Sequence, residues 1–587
     1  MAPIASEESP MRTFVEVIRD NSVYTHHAHT FVRVDGTERV VTFPELWKWA
    51  CQRANRFREL GLKKGDRVAL ILPDPDAFVL AFIGALTAGL VPVPMYPPMT
   101  LAKLEAYGET VRHILASSGA RALVTVPSLE PMLRAHLVDV ARESGTVSDG
   151  VRVILDAELE GDLPEKAVAP CEISIDDLAF LQFTSGSTRM PKGVMVSHRN
   201  LSANAHAIMF DGLHATSKDR GVTWLPLYHD MGLIGFVIAP AFAQVEVKFL
   251  PTLTFIRRPS LWLDAVHKFR GTITFAPNFA FALAARAVSD EQSREWDLSC
   301  LKAIGCGAEP IQPETLRNFV ARFSSKGLRS EALLPCYGLA EATLAVTFGS
   351  TAEVMRTEKL DAASMHRGEA VLVDGADGPE IVSCGRPLPG FELEVRGAEG
   401  ARLAERMVGE VWVRGPSVMT GYFGQPDATA EVLDGEWLCT GDLGYLVAGE
   451  LFVCGRTKDL IIIHGKNFYP QDVERIVSET EGLRPGQCVA FARAGVDGEE
   501  CVVVAEANSA SIDPREVASK VKLRVRAELG LPVAEVVLIK RNTLPKTSSG
   551  KVRRRDTKVR LEAGQLDLLV PRNAPVPKAR SSSPARV

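Results

Sequence analysis

Phe183-Thr-Ser-Gly-Ser-Thr-Arg-Met-Pro-Lys-Gly-Val194 decides how the rest of this 587-residue chain is read. The residues before it, 177–182 (Asp-Leu-Ala-Phe-Leu-Gln), are mostly apolar and predict a buried strand. The residues after it, 195–201 (Met-Val-Ser-His-Arg-Asn-Leu), predict a helix. The polar turn between them offers backbone N–H groups, Ser and Thr hydroxyls and one ammonium, the donors that hold a phosphate chain. It is not the Walker loop, because no Gly-Lys pair is followed by Ser or Thr at the required spacing. Taken alone, the stretch is equally an ordinary Ser/Gly-rich loop, so its surroundings must decide.

Outward from this stretch the chain alternates strand and helix. Strands are predicted at 67–72, 91–95, 122–126, 221–225, 245–250, 272–275 and 301–305, with helices such as 77–88 and 103–117 between them. Near-continuous apolar runs are what parallel strands covered on both faces require. Around residue 350 the pattern changes to short alternating strands at 391–395, 409–414 and 450–454, which predict a small antiparallel barrel or sheet. After Gly455 a smaller α+β unit follows. The expected fold is therefore α/β. A large N-terminal domain (1–455) would hold two similar, doubly wound α/β subdomains and a β-rich, barrel-like subdomain (350–455). A small mobile α+β domain (456–570) and a disordered tail (571–587) would follow.

Composition narrows the function. Net charge is −5 with no basic half, which gives nucleic-acid binding no electrostatic support. The ten cysteines contain no Cys-x-x-Cys pair and read as reduced thiols of a cytoplasmic protein. The first residues lack a signal-peptide core, and the longest apolar helical stretch, 77–90, is too short to span a bilayer, so no membrane insertion is expected. His26, His27 and His29 have no Cys or carboxylate partners at metal spacing and read as surface residues.

Three further stretches carry chemistry. Tyr337-Gly-Leu-Ala-Glu-Ala-Thr343 follows an apolar strand; an aromatic ring there can stack on a nucleobase, and a carboxylate can hold Mg²⁺ bridged to phosphates. Trp437-Leu-Cys-Thr-Gly-Asp-Leu443 sets Asp442 in a turn after a strand, where it can accept ribose hydroxyls. Leu544-Pro-Lys-Thr-Ser-Ser-Gly-Lys-Val-Arg-Arg554 is a basic loop that presents a lysine to an anion. Each alone has an ordinary structural reading: a core tyrosine, a turn aspartate, a solvated loop.

In this order, together with Gly455-Arg-Thr-Lys-Asp459, these stretches resemble the adenylate-forming superfamily from about residue 40 to about 560. Trp224-Leu-Pro-Leu-Tyr-His-Asp-Met-Gly232, Phe275-Ala-Pro-Asn-Phe-Ala280, His464-Gly-Lys-Asn-Phe-Tyr-Pro-Gln-Asp472 and Pro92-Val-Pro-Met-Tyr-Pro-Pro98 resemble the fatty acyl-AMP ligases. So does Arg189, where acyl-CoA synthetases carry Gly. The resemblance implies ATP and Mg²⁺ as cofactors, a fatty acid as substrate and a phosphopantetheinylated acyl carrier protein, in trans, as acceptor. A monomer is expected. It implies that Thr184, Ser185, Gly186, Ser187, Thr188 and Lys192 hold phosphates and that Glu341 with Thr188 binds Mg²⁺. Tyr337 and Gly338, with Gly307, Ala308 and Glu309, would frame adenine, and Asp442 and Arg456 the ribose. Lys551 and His229 would act at the reacting groups, with Lys458 at an interdomain hinge. Met231, Ile234, Asn278 and Phe279 are candidates for the acyl tunnel, with core packing an equal reading of Met231, Ile234 and Phe279. Residues 352–380, which have no strong strand pattern, occupy the place of the insertion those ligases carry. The competing readings are a long-chain fatty acyl-CoA ligase and an inactive homologue acting as a scaffold.

Overall fold

The computed structural model describes residues 11–33, 35–98, 104–137, 150–161, 171–184, 190–375, 378–463, 466–495, 498–509, 511–547 and 551–569. The chain forms two compact units: Met1–Ser364 with Gly368–Cys454, and Met365–Arg367 with Gly455–Val587.

The first unit is built on a nine-stranded sheet. Six neighbouring strands are parallel: Leu333–Gly338, Ala303–Cys306, Ile273–Ala276, Arg220–Thr223, Glu246–Phe249 and His27–Val32. Antiparallel strands close both edges, Ala345–Phe348 and Arg386–Pro387 on one side and Glu38–Thr42 on the other. In such a sheet ligands bind beyond the carboxyl ends of the strands. The topology puts Tyr337-Gly338, Gly307–Glu309, Asn278 and the segment from Trp224 to His229 at that end.

A separate four-stranded parallel sheet runs in the order Val91–Pro94, Arg67–Leu70, Ala122–Thr125, Arg152–Leu155. The helix Pro75–Thr87 is buried from Phe78 to Thr87, which explains its apolar character all round. The two halves are thus unequal, not similar as the rhythm of the sequence suggested. The larger sheet takes its extra width partly from the N-terminal strand His27–Val32, which lies parallel to Glu246–Phe249 with His29 opposite Val247. This placement corrects the reading of His29 as a surface residue: it is 2% exposed, with its ring 5.7 Å from Phe31 and 5.2 Å from Phe249.

The decisive stretch also folds differently from expectation. Leu178–Thr184 and Lys192–Ser197 are the two arms of an antiparallel hairpin, with Thr184 opposite Lys192. The helix begins only at His198, where the Ser197 hydroxyl accepts from the Asn200 amide at 3.1 Å. The β-branched Val194 and Val196 favour the strand and the serine stops it.

A five-stranded antiparallel sheet completes the first unit: Glu392–Arg396, Gly409–Arg414, Trp437–Val447 and Leu433–Asp434 in order, with Glu450–Arg456 also on Trp437–Val447. Within 352–380, where the sequence has no strong strand pattern, Thr357–Lys359 starts a pairing that Glu380–Val382 completes. The second unit packs helices Pro470–Ser478 and Pro514–Leu529 on the strands Leu483–Gly495, Gly498–Ala507 and Val533–Ile539. Among the described residues no helix is long and apolar enough to cross a membrane. All ten cysteines are free thiols.

Candidate active site

Lys192 opens the second arm of the hairpin, and its Nζ lies 4.9 Å from the centre of the Tyr422 ring. Tyr422 reaches this place because its segment pairs with the hairpin. The Met195 amide donates to Gly421 O at 3.1 Å and the Phe423 amide to Gly193 O at 2.8 Å. The Tyr422 hydroxyl donates to Glu341 Oε1 at 2.9 Å. Burial, reinforced by the Glu341 charge, raises the phenol's pKa and keeps it a donor. One tyrosine therefore joins the lysine assigned to phosphate and the carboxylate assigned to metal. Tyr422 was missed in the sequence; its only local signal is a tyrosine beside Gly421 in a turn-rich stretch.

Tyr337 ends its strand 9% exposed, and its hydroxyl donates to Asp442 Oδ2 at 2.8 Å. Asp442 does not sit in a turn after a strand, as its sequence suggested. It lies within the strand Trp437–Val447, at a bulge. Glu410 pairs with Leu443 and Trp412 with Cys439, so residues 440–442 stand opposite Val411 alone. Gly441 supplies a φ of +71° there, and the Thr440 hydroxyl donates to Val411 O at 2.7 Å and accepts from the Asp442 amide at 3.1 Å. The bulge re-aims the carboxylate toward Tyr337. Gly338 is required by close approach, since a Cβ there would lie 1.8 Å from Leu344 O.

Ala308 takes a left-handed φ of +67° between Gly307 and Glu309. Glu309 Oε1 accepts from the Phe279 amide at 2.7 Å, and Asn278 Oδ1 accepts from the Gln312 amide at 3.1 Å. The Glu309 carboxylate thus serves the first turn of the helix Asn278–Ala287. His229 precedes the helix Asp230–Leu233; its carbonyl accepts from the Leu233 amide at 2.8 Å and its ring lies 5.0 Å from Tyr228.

Beside these groups lies a narrow, largely apolar cavity of about 60 Å³. Asp230, Met231, Ala308, Tyr337 and Gly338 border it on the motif side. Phe236, Phe275 and Phe348 form much of the apolar wall. Two wide π-helical segments, Ala207–Gly212 and Ile234–Ile238, contribute Ile208, Met209, Gly235 and Phe236. Such segments interrupt helices frequently at functional sites. Of the tunnel candidates only Met231 is on the wall. Ile234 is fully buried in the core, and Asn278 and Phe279 belong to the turn held by Glu309 and Gln312.

The remaining candidates lie in the second unit. Arg456 ends the strand Glu450–Arg456, and Lys458 lies in the turn Thr457–Asp459. The Lys551 amide donates to Thr547 Oγ1 at 3.0 Å, and its carbonyl accepts from the Thr547 amide at 2.7 Å. Arg554, three residues on, is bound to Asp459 and to both oxygens of Glu474, which ties the Lys551 segment to the turn carrying Lys458. Ser185, Gly186, Ser187, Thr188 and Arg189 lie outside the described residues.

The family model of the AMP-binding enzymes matches residues 20–423. The chain belongs to the AMP-binding enzyme family. Among relatives of this AMP-binding enzyme, a Caulobacter vibrioides protein named as an acyl-CoA synthetase is 40% identical over 87% of this chain and 88% of its own. A 4-hydroxyphenylalkanoate adenylyltransferase of Mycobacterium marinum is 36% identical over 89% and 86%. A medium-chain-fatty-acid–[acyl-carrier-protein] ligase of Moorena producens is 35% identical over 86% and 87%. A solved structure from studies of fatty acyl-adenylate ligases of E. coli and L. pneumophila superposes with a TM-score of 0.87 at 36% identity, covering 94% of this chain and 99% of that one. Within the family the AMP-binding enzyme groups with the fatty acyl-AMP ligases.

The side chains present fit Mg²⁺-ATP. Glu341 is a hard oxygen donor, half-buried in the turn Ala340–Ala342 that follows the strand Leu333–Gly338, and the Tyr422 hydroxyl orients it as metal-holding carboxylates are oriented.

Proposed function

We propose that this AMP-binding enzyme activates a fatty acid to its acyl-adenylate, releasing pyrophosphate, and passes the acyl group to a phosphopantetheinylated carrier protein. The observation that carries the fatty acid is the cavity: a narrow apolar pocket bordered by Tyr337, Gly338 and Ala308, the residues assigned to adenine. An acyl chain seated there would hold its carboxylate beside the nucleotide. The carrier protein is supported by the similarity to the Moorena producens ligase.

In this reading the carboxylate oxygen attacks the α-phosphorus and the bond to the pyrophosphate leaving group breaks. The barrier is the approach of two anions and the charge that builds on phosphate, so positioning and cationic stabilisation carry the catalysis. Lys192 holds the outer phosphates and Lys551 the oxygens at the reacting centre. Asp442, oriented by Tyr337, accepts from the ribose hydroxyls, a task the resemblance also gives to Arg456. Glu341, with Thr188, would hold Mg²⁺, which would supply charge neutralisation. Lys458 marks the hinge between the adenylating and transferring arrangements.

A second reading, a fatty acyl-CoA ligase, is favoured by the name of the Caulobacter vibrioides relative. One experiment separates them. Fatty acids of graded length and a 4-hydroxyphenylalkanoate are incubated with Mg²⁺-ATP alone, with CoA and with a phosphopantetheinylated carrier protein, and products are read by mass spectrometry. Fatty acyl-AMP with acylation of the carrier alone is expected. Abundant acyl-CoA would overturn the choice of acceptor, and absence of any adenylate would overturn the enzyme itself.

A further inference from the structure

A buried polar network sits between the cavity and Glu341. Asn204, on the helix His198–His206, is fully buried and clamps Ala345: its Nδ2 donates to Ala345 O at 2.8 Å and its Oδ1 accepts from the Ala345 amide at 3.1 Å. The same Nδ2 lies 3.0 Å from Ser417 Oγ, and the Ser417 hydroxyl donates to Ala342 O at 3.0 Å. The Thr343 hydroxyl donates to Ser417 O at 2.7 Å. Just before this turn, Glu341 O accepts from the Met419 amide at 2.8 Å. Glu341 and the two residues after it are thereby pinned to residues 417–419.

The turn is strained. Thr343 has φ 71° and ψ −64°, and the Leu344 amide donates to Ala342 O at 2.9 Å, which makes it a γ-turn with a β-branched residue at its centre. Such a conformation persists only where its surroundings over-determine it, and it concentrates at working sites. Here the surroundings are the network: Asn204 and Ser417 are 0% exposed and Thr343 1%. Directly after the turn, Leu344 and Ala345 form part of the cavity wall. The Asn204 helix continues into the wide segment Ala207–Gly212, whose Ile208 and Met209 form another part.

We infer that Asn204, Ser417 and Thr343 are positioning residues that couple occupancy of the cavity to the setting of the Glu341 carboxylate. The inference rests on the acyl and metal roles proposed above. A chain pressing on Leu344 or Ala345 acts on a wall with little slack, because the Ala345 amide and carbonyl are both bonded to the buried Asn204. The displacement passes through Ser417 to the turn that aims Glu341. Acid and Mg²⁺-nucleotide then favour each other's binding, with a reciprocal factor in each direction.

The test measures binding rather than turnover. Mg²⁺-dependent affinity for α,β-methylene-ATP is titrated with and without tetradecanoate, in the wild type and in Thr343→Val and Thr343→Ser. The valine keeps the shape and removes the hydroxyl; the serine keeps the hydroxyl. Tetradecanoate is expected to tighten nucleotide binding by about fivefold or more in the wild type and in Thr343→Ser. In Thr343→Val the two ligands should each still bind, with the mutual effect reduced to below about twofold. A merely structural role would lower the melting temperature of Thr343→Val and leave the coupling factor alone. Should that variant not fold, Ser417→Ala, which removes the hydroxyl between Asn204 and Ala342, carries the same expectation. Wild-type binding of both ligands without coupling, or full coupling in the hydroxyl-free variant, overturns the inference and leaves the adenylation reading standing. Failure of tetradecanoate to bind the wild type, with no adenylate formed from any fatty acid, overturns that reading instead.

Discussion

At the scale of single residues, the bond from Tyr337 to Asp442 joins two groups assigned separate tasks, adenine and ribose. The donor is neutral and the acceptor a carboxylate, so its loss should weaken the ribose contact without touching the ring that faces adenine. Tyr337→Phe is expected to raise the KM for ATP about tenfold, the effect of about 1.4 kcal/mol, while the KM for fatty acid stays within about twofold. Steady-state pyrophosphate release checks this, and an unchanged KM for ATP would argue against Asp442 as the ribose acceptor. Lys551 acts differently, because its proposed charge is needed only as negative charge builds on phosphate. Lys551→Ala should lower acyl-AMP formation by about a hundredfold or more while ATP binding persists. Full activity in pyrophosphate exchange would remove Lys551 from the mechanism. Both residues were legible as motifs. The bond between Tyr337 and Asp442 was not, because they lie 105 positions apart and a bulge decides where the carboxylate points.

At the scale of elements, the segment 352–380 shows why an insertion cannot be treated as a detachable loop. Glu358, 6% exposed, accepts from Arg406 at 3.0 and 3.1 Å, from Arg356 at 2.9 Å and from the Tyr445 hydroxyl at 3.1 Å. Excising the whole segment would strand Arg406 and Tyr445 and should cost about 3–5 kcal/mol. A shorter excision spares Glu358 and keeps the bond from the Leu360 amide to Pro379 O at 3.0 Å. Replacing 361–375 by a short Gly-Ser turn removes the buried Met365 and Ala370 and the bonds of Gly368 and Ala370 to Val408 and Arg406, and is expected to lower stability by about 2–4 kcal/mol in denaturant unfolding. If this insertion is what bars CoA, the shortened enzyme should also form acyl-CoA from acyl-AMP and CoA; a folded variant that still forms none would acquit the insertion. The Ser185–Arg189 region teaches the converse. Its flanks read as strand and helix, yet the second flank pairs as a strand because Val194 and Val196 find partners in Gln182 and Phe180.

At the scale of the molecule, His29 ties stability to pH. Burial lowers its pKa from 6.5 to about 4. Between those values the unfolded chain holds a proton on this ring that the folded chain excludes, so the residue lowers stability as pH falls through that window. Its contribution is nil above about pH 7 and reaches about 3 kcal/mol of destabilisation below about pH 4. Asp156, raised to about 6 chiefly by its own burial, acts in the opposite direction, so the total profile does not isolate the histidine. The difference between His29→Leu and wild type does. The variant's stability advantage should grow from pH 7.5 to pH 5 in denaturant unfolding, and a difference independent of pH would show that His29 is not excluded from protonation.

The sequence by itself determined the α/β class, the change to short strands near residue 350, the adenylating motifs and their order. These are local matters: apolar period, turn residues and motif spacing are all read within a few positions. Tertiary structure alone decided that the two halves are unequal, that His29 is core and that Asp442 lies within a strand at a bulge. It alone brought Tyr422, Asn204 and Ser417 to the turn that holds Glu341 and Thr343. The physical reason is that each of these depends on a partner far along the chain, on what a strand finds beside it or which carbonyl a buried amide can reach, and neither periodicity nor composition encodes that choice.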